Sequence, residues 1–420
     1  MANLISPVRG MNDILADEEP FWDLVESAAA KIFKAYGYRR IRIPVLEKTE
    51  LFSRSIGELT DIVEKEMYTF VDRNGDSLTL RPEATASVVR ACLTHGLLHN
   101  QQQKLWCAGP MFRREKPQKG RYRQFHQLNI EALGYAEPEV DAELICVSAR
   151  LWRELGVETV KLEINSIGTA ESRVGYKRAL VDYFTHHESV LDADSRRRLE
   201  RNPLRILDSK NPAMRELIQE APLLEDYLDD ESREHFEGVQ ALLSNVDIAY
   251  TVNPRLVRGL DYYTRTVFEW VTDRLGAQSA VCSGGRYDGL VEQLGGRATP
   301  AVGWALGLER VIELVRLEGW GGIASNPDIC MVSVGPQARE QSFAAAERLR
   351  DRLPRLRLSM APQTSGFKAQ MRRADRSGAR YALILGEDEL AAGKFSVKAL
   401  REDEEQQLLS FDELVQFFEQ

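Results

Sequence analysis

"FRREKPQKGRYRQFHQLNIEALG", residues 112–134, changes character half-way along. Its first dozen positions hold six basic side chains, Arg113, Arg114, Lys116, Lys119, Arg121 and Arg123, in a chain of formal net charge −9. From Phe125 onward apolar and polar residues alternate. A strand over 125–133 puts Phe125, Gln127, Asn129, Glu131 and Leu133 on one face and Leu128, Ile130 and Ala132 on the other. If helices cover the Leu128/Ile130 face, the Gln127/Glu131 face lines a cavity. If they do not, it is the solvated face of an edge strand, and alternation alone leaves both open. The preceding "KLWCAGPMFRR" (104–114) also reads as a strand, so the segment is predicted to be an antiparallel pair joined by a basic loop.

The surroundings support a multi-domain globular protein. A chain of 420 residues exceeds one hydrophobic core, and 43% hydrophobic with 28% charged residues is ordinary soluble composition. No apolar run nears the roughly 18 residues of a membrane span, and "MANLISPVRG" lacks the apolar stretch of a signal peptide, so a cytoplasmic location is expected. Five scattered cysteines without a CxxC pair suit a reducing compartment. Overall acidity excludes a non-specific nucleic-acid coat protein but not a local phosphate-binding patch.

Residues 18–37 read as an amphipathic helix stopped by Gly37, and "YRRIRIPVLE" as a strand ending at Pro44. "SLTLRP" is a strand that leads into the helix "EATASVVRACLTHGL". Residues 170–245 are helical and charge-rich, and read as an insertion into the first domain. Strands return at "RTVFEWVTD" and "SAVCSGGRYD", and "AVGWALGLERVIELVRLEG" (301–319) reads as a helix. "WGGIASNP" (320–327) is a linker candidate, after which strand and helix alternate as in an α/β domain with a parallel or mixed sheet.

There is no G-x-x-x-x-G-K-[ST], no H-E-x-x-H and no G-x-S-x-G, and "SGGRYDGL" (283–290) is not a dinucleotide fingerprint. Four stretches remain. "LVRGLDYYTRTVFEW" (256–270) sets Arg258 and Gly259 before an acid and two tyrosines, as a hairpin start or as a site. "RPEAT" (81–85) places Glu83 at a helix start, where it serves the helix dipole or meets a ligand at free N–H groups. "GWALGLERV" (303–311) has Gly303 and Gly307 four apart, for close packing or close approach of a ligand. The basic hairpin is the fourth.

Taken in order, these stretches resemble the class II aminoacyl-tRNA synthetases, and specifically the histidyl-tRNA synthetase family, over nearly the whole chain. "SPVRGMNDIL" with "YGYRRIRIPVLEKTELF" resembles the family's opening and first motif, a helix and strand used for dimerisation. "FRREKPQKGRYRQFHQ" resembles the second motif and "AVGWALGLERV" the third. "VRGLDYYTRTVFE" and "SGGRYDGL" resemble two signatures particular to the histidine enzyme.

The resemblance implies an α+β catalytic domain, an antiparallel sheet with flanking helices, over 1–169 and 246–320. It implies a helical insertion over 170–245 and a C-terminal α/β anticodon-binding domain over 327–420. It further implies that ATP and L-histidine form histidyl-adenylate, and that the acyl group passes to histidine tRNA. Arg113 and Arg258 are then the catalytic cations at the α-phosphate. Arg121 and Arg310 match residues near the outer phosphates, and Arg310 and Phe125 would stack on adenine. Glu83, Thr85 and Gln127 would hold the substrate's α-amino group, Glu131 and Tyr263 would meet its imidazole, and Ala84 and Tyr262 would line the same histidine pocket. Mg²⁺ would ride on the ATP phosphates, with no protein metal site. Lys116 stands where the family often has arginine, and with Gln118 it would meet the tRNA end. A homodimer without membrane attachment is implied. The alternatives are the regulatory paralogue of ATP phosphoribosyltransferase, a synthetase for another amino acid, and a non-catalytic RNA-binding relative.

Overall fold

The computed structural model describes residues 4–57, 60, 62–118, 120–207, 209, 211–276, 279–319, 326–361 and 365–419. Lys119 and most of the linker candidate, 320–325, lie outside them. The chain divides into two compact units, residues 1–322 and 323–420.

The strands of the first unit are β1 (Arg39–Arg40), β2 (Leu46–Lys48), β3 (Tyr68–Val71), β4 (Ser77–Leu80), β5 (Gln103–Phe112), β6 (Gln124–Leu133), β7 (Lys161–Ser166), β8 (Thr251–Val252), β9 (Thr264–Val271), β10 (Ala280–Arg286) and β11 (Ala301–Gly307). Its helices are α1 (Glu19–Ala35), α2 (Thr49–Ile56), α3 (Thr85–Thr94), α4 (Pro138–Glu154), α5 (Ser172–His186), α6 (Ala193–Arg201), α7 (Arg215–Glu220), α8 (Asp230–Asn245), α9 (Leu290–Gln293) and α10 (Leu308–Leu317). Eight strands form one sheet in the order β1-β5-β6-β11-β10-β9-β7-β8. Its six central strands are antiparallel, and only the edge pairs β1/β5 and β7/β8 run parallel. β2, β4 and β3 make a separate small sheet.

The hairpin expected around the basic loop is present, with Gln103 opposite Leu133 and Phe112 opposite Gln124. β6 lies inside the sheet, between β5 and β11, so it is not an edge strand. Leu128, Ile130 and Ala132 belong to a large apolar core with Val25, Ile32 and Phe33 of α1, Leu144 and Ile145 of α4, and Val311 and Val315 of α10. Each fully buried Leu, Ile, Val or Phe side chain among them contributes about 1.5–3 kcal/mol relative to exposure. With that face sealed, period-two alternation turns Gln127 and Glu131 to the opposite side of the sheet.

Two segments depart from expectation. The strand expected to run to Pro44 is only two residues long: Arg39–Arg40 pair with β5, and Leu46–Lys48, beyond Pro44, pair with β4 in the other sheet. Pro44 lacks the N–H a ladder needs. Buried Arg81 ties the intervening backbone down instead, donating to the carbonyls of Ile43 (2.9 Å) and Pro44 (3.2 Å). Residues 301–319 are not one helix: 301–307 form β11, and α10 begins only at Leu308. Gly303 and Gly307 therefore lie on a strand, where the small size of Gly303 serves the neighbouring strand β6.

The helical stretch 172–245 contains α5 to α8 with short 3₁₀ turns. Tyr176, Leu180 and Phe184 of α5 pack in one core with Tyr262, Tyr263 and Tyr287, whereas Phe236, Val239 and Leu243 of α8 join the core behind the large sheet.

The second unit has β12 (Ile329–Ser333), β13 (Leu358–Met360), β14 (Tyr381–Leu385), β15 (Phe395–Ala399) and β16 (Gln407–Leu409) in the order β13-β12-β14-β15-β16. The first three are parallel and the last two antiparallel, so the sheet is mixed.

Candidate active site

The polar face of β6 opens onto two adjoining groups of side chains. The first centres on Glu131, which is 1% exposed. It accepts hydrogen bonds from Thr85 Oγ1 (2.7 Å) and the Tyr287 hydroxyl (2.5 Å). Burial pushes its carboxyl up to about 8, against the pull of those two donors. A carboxyl so placed gains most from a ligand group that donates to it or carries positive charge.

Thr85 opens α3, and Glu83 sits just before it. The Glu83 carboxylate accepts from the backbone N–H of Thr85 (2.7 Å) and Ala86 (2.9 Å), answering donors that a helix start leaves free. Burial raises its pKa, opposed by those bonds and by Arg113. Ala84, between them, is buried and lets the helix start run close to the site. The helix-start role and the site position thus belong to the same carboxylate.

Tyr262, Tyr263 and Tyr287 form a ring cluster, with centroids 4.7 Å apart for the first pair and 5.6 Å between Tyr262 and Tyr287. Sequence reasoning named the first two and missed Tyr287, although "SGGRYDGL" contains it; nothing in that stretch alone says the phenol turns to Glu131. The Arg258 guanidinium lies 5.2 Å from the Tyr263 ring centroid and is ion-paired with Glu269. Burial works against its charge, but Glu269 and Tyr263 outweigh it and hold the group protonated.

The second group surrounds a cavity of about 220 Å³ lined in part by Arg113, Arg121, Phe125, Gln127, Glu309 and Arg310. Arg113 donates to the Pro82 carbonyl (2.9 Å) and sits 5.3 Å from the Phe125 ring centroid. Burial lowers its pKa, opposed by Glu66 and Glu83. Arg121 is paired with Glu115. Gln127 Oε1 is buried without a hydrogen-bond partner among the described residues, an orphaned acceptor on the cavity side of β6. Glu309 accepts from the His126 backbone N–H (2.9 Å), which fixes the start of α10 and with it Arg310.

The floor between the groups is made of small residues. Gly303 stands opposite Glu131 on β11, and a β-carbon there would collide with the Glu131 carboxylate. Lys116 and Gln118 are exposed on the loop, which is tightened by a bridge between Gln118 and Arg121.

This arrangement sets buried carboxyls and a phenol cluster with Arg258 on one side, and a cavity lined by Arg113, Arg121 and Arg310 on the other, with β6 contributing to both. The family model described as "Histidyl-tRNA synthetase" matches residues 10–311, and one described as "Anticodon binding domain" matches 328–420. The chain belongs to the histidyl-tRNA synthetase family. A histidine–tRNA ligase of Halorhodospira halophila is 59% identical over 98% of this chain and 97% of its own. One from Alkalilimnicola ehrlichii is 58% identical over 97% and 95%. The crystal structure of apo Staphylococcus aureus histidyl-tRNA synthetase superposes with a TM-score of 0.82 at 36% identity, covering 99% of this chain and 100% of that one. Identity at this level with ligases of the family disfavours the regulatory paralogue. Within the family frame, every site residue expected from the sequence falls in one of the two groups, except Lys116 and Gln118 on the loop.

Proposed function

We propose that this protein attaches L-histidine to histidine tRNA in two steps. The histidine carboxylate attacks the α-phosphorus of ATP, forming histidyl-adenylate as the bond to pyrophosphate breaks. A ribose hydroxyl at the tRNA end then attacks the adenylate carbonyl, and AMP leaves. The observation that carries this reading is the placement of Glu131: a buried carboxyl held by Thr85 and Tyr287, on the same strand face as Gln127, which lines a cavity with Arg113, Arg121 and Arg310.

An imidazole offers one donor and one acceptor when neutral, and Glu131 with the phenols of Tyr262 and Tyr263 supplies complements to both. Glu83, Ala84, Thr85 and Gln127 form the α-amino end, where the unpaired Gln127 Oε1 is an acceptor for the ammonium. A pocket of this kind rejects analogues lacking the paired groups by about 10⁴–10⁵-fold.

Arg113 and Arg258 stabilise the charge that builds on the α-phosphoryl oxygens during attack. Arg121 takes the outer phosphates, and Phe125 with Arg310 encloses adenine, tasks that suit the planar guanidinium. Mg²⁺ rides on the ATP phosphates and supplies charge neutralisation there. The carboxylates lining that cavity, Glu115 and Glu309, are already engaged by Arg121 and His126, which supports an ion held by the nucleotide.

Lys116 and Gln118 reach the tRNA end. The match of residues 328–420 to an anticodon-binding family supports a second tRNA contact there. A homodimer is supported by apolar side chains exposed on the small sheet, among them Phe70 at 47% and Val71 at 68%. No helix among the described residues is long and apolar enough to cross a membrane, and the five cysteines are unpaired, in keeping with work in the cytoplasm.

The deciding experiment is isotope exchange between pyrophosphate and ATP with each amino acid in turn. Exchange is expected with L-histidine alone. Exchange driven by another amino acid, or by none, would overturn the reading.

A further inference from the structure

Residues 253–263 connect β8 to β9 without helix or strand, yet they carry Arg258, Tyr262 and Tyr263. A segment with no ladder of its own must take its shape from its neighbours. Here the neighbours belong to the helical stretch. Arg173, in the first turn of α5, donates through Nη1 to the carbonyls of Ile167 (3.3 Å), Gly168 (3.1 Å) and Tyr263 (3.0 Å). Asn202, which ends α6, donates through Nδ2 to Asp261 Oδ1 (3.1 Å). In the opposite direction Arg255 donates to the carbonyls of Gln219 (2.9 Å), Ala221 (2.5 Å) and Pro222 (2.9 Å) at the end of α7. Three pieces of the helical stretch therefore hold the connection at three separate residues. The space enclosed between them, about 160 Å³, is lined by Arg173, Arg258, Asp261 and Tyr263 among others.

We propose that Arg173 is a positioning residue for histidine recognition, which acts by holding the Tyr263 backbone. The proposal rests on the reading of histidine activation above. A guanidinium suits the task because its N–H groups are fixed in one plane and stay charged, so one side chain can bind several carbonyls at once. Tyr263 lies between that anchor and Arg258, whose guanidinium sits over its ring. Releasing the carbonyl lets the phenol turn away from Glu131 and Tyr287, whereas Phe125, Arg121 and Arg310 on the nucleotide side keep their own supports. The helical stretch thereby sets affinity for the amino acid without touching it. Asn202 acts on the same connection at Asp261, with a single bond and a smaller effect.

The test is steady-state pyrophosphate exchange by the full-length protein, with KM for histidine and for ATP measured separately. Wild-type exchange with L-histidine tests the function itself; the brace is read from the variants alone. Arg173→Ala is expected to raise the histidine KM about tenfold or more, the scale of losing hydrogen bonds from a charged donor. Its ATP KM should stay within about twofold, because a positioning effect splits the two constants. Arg173→Lys keeps a cation and part of the donor set and should fall between wild type and Arg173→Ala. An unchanged histidine KM in Arg173→Ala would overturn the proposal. So would equal rises in both KM values with a lowered melting temperature, which marks general scaffolding. If Arg173→Ala does not fold, Arg173→Lys decides: a raised histidine KM at constant ATP KM supports the brace, and wild-type values for both overturn it.

Discussion

Glu131 on β6 and Gly303 on β11 face each other directly, and the space a side chain would need at Gly303 is taken by the Glu131 carboxylate. Gly303→Ala forces that carboxylate out of its bonds with Thr85 and Tyr287. The expected result is a fall in kcat/KM for histidine of at least about tenfold, since a displaced buried hydrogen-bonding group costs about 1–3 kcal/mol. Exchange kinetics check it. Wild-type kinetics from the alanine variant would mean that β11 yields and that the glycine is not needed for the carboxylate.

The raised Glu131 carboxyl makes stability depend on pH in a definite direction. Its ordinary value is 4.5 and its folded value about 8, so between those values the folded protein holds a proton the unfolded chain has released. The contribution is complete below pH 4.5 and is lost as pH rises through 8. Relative to Glu131→Gln, the ligand-free wild type should lose stability with rising pH across that window, at up to about 1.4 kcal/mol per unit. Denaturant titrations at several pH values give the difference, and a flat difference would show that Glu131 is ionised throughout.

Arg258 is expected to matter in the transition state more than in binding. Arg258→Ala should slow adenylation about 10²–10³-fold, the scale of removing one preorganised donor from developing negative charge. Single-turnover adenylate formation measures this step, and a loss below fivefold, well under that scale, would remove Arg258 from the α-phosphate.

Tyr287→Phe deletes one of the two donors to Glu131 and changes little else. Histidine use should weaken by about 1–3 kcal/mol, because the carboxyl is left buried with an unmet acceptor. An unchanged kcat/KM for histidine would show that the bond is idle in the working enzyme.

Residues 323–420 form a unit with cores of its own around Ile329, Leu383 and Val332. A chain ending before residue 327 should keep most pyrophosphate exchange and lose most tRNA charging. Equal loss of both would make the unit a structural support of the catalytic part.

Much of this site was legible because β6 writes its two faces in alternate letters. Leu128 and Ile130 against Gln127 and Glu131 is a pattern that survives folding unchanged. The helix after Pro82 was equally plain, though it was read from Glu83 and begins at Thr85, because Glu83 caps the first N–H groups from outside. The glycine pair at 303 and 307 was misread as helical because spacing of four fits a helix and says nothing about a partner. What Gly303 serves, the Glu131 carboxylate, lies 172 residues away. Tyr287 and Arg173 escaped for the same reason. Their work is done on groups remote in sequence, and no local pattern announces that a phenol reaches Glu131 or that a guanidinium reaches the Tyr263 carbonyl.

The two-faced strand also restricts how this gene can change length. Adding or deleting one residue between Gln124 and Gln127 would exchange the faces of the rest of β6, turning Leu128 and Ile130 to the polar side and Glu131 into the apolar core. Such a variant is expected to lose its core packing and the proposed histidine pocket in the same event. A change of length in this hairpin is expected to be tolerated in the exposed turn around Lys116 and Gln118, where an extra residue leaves the pairing of β5 with β6 intact.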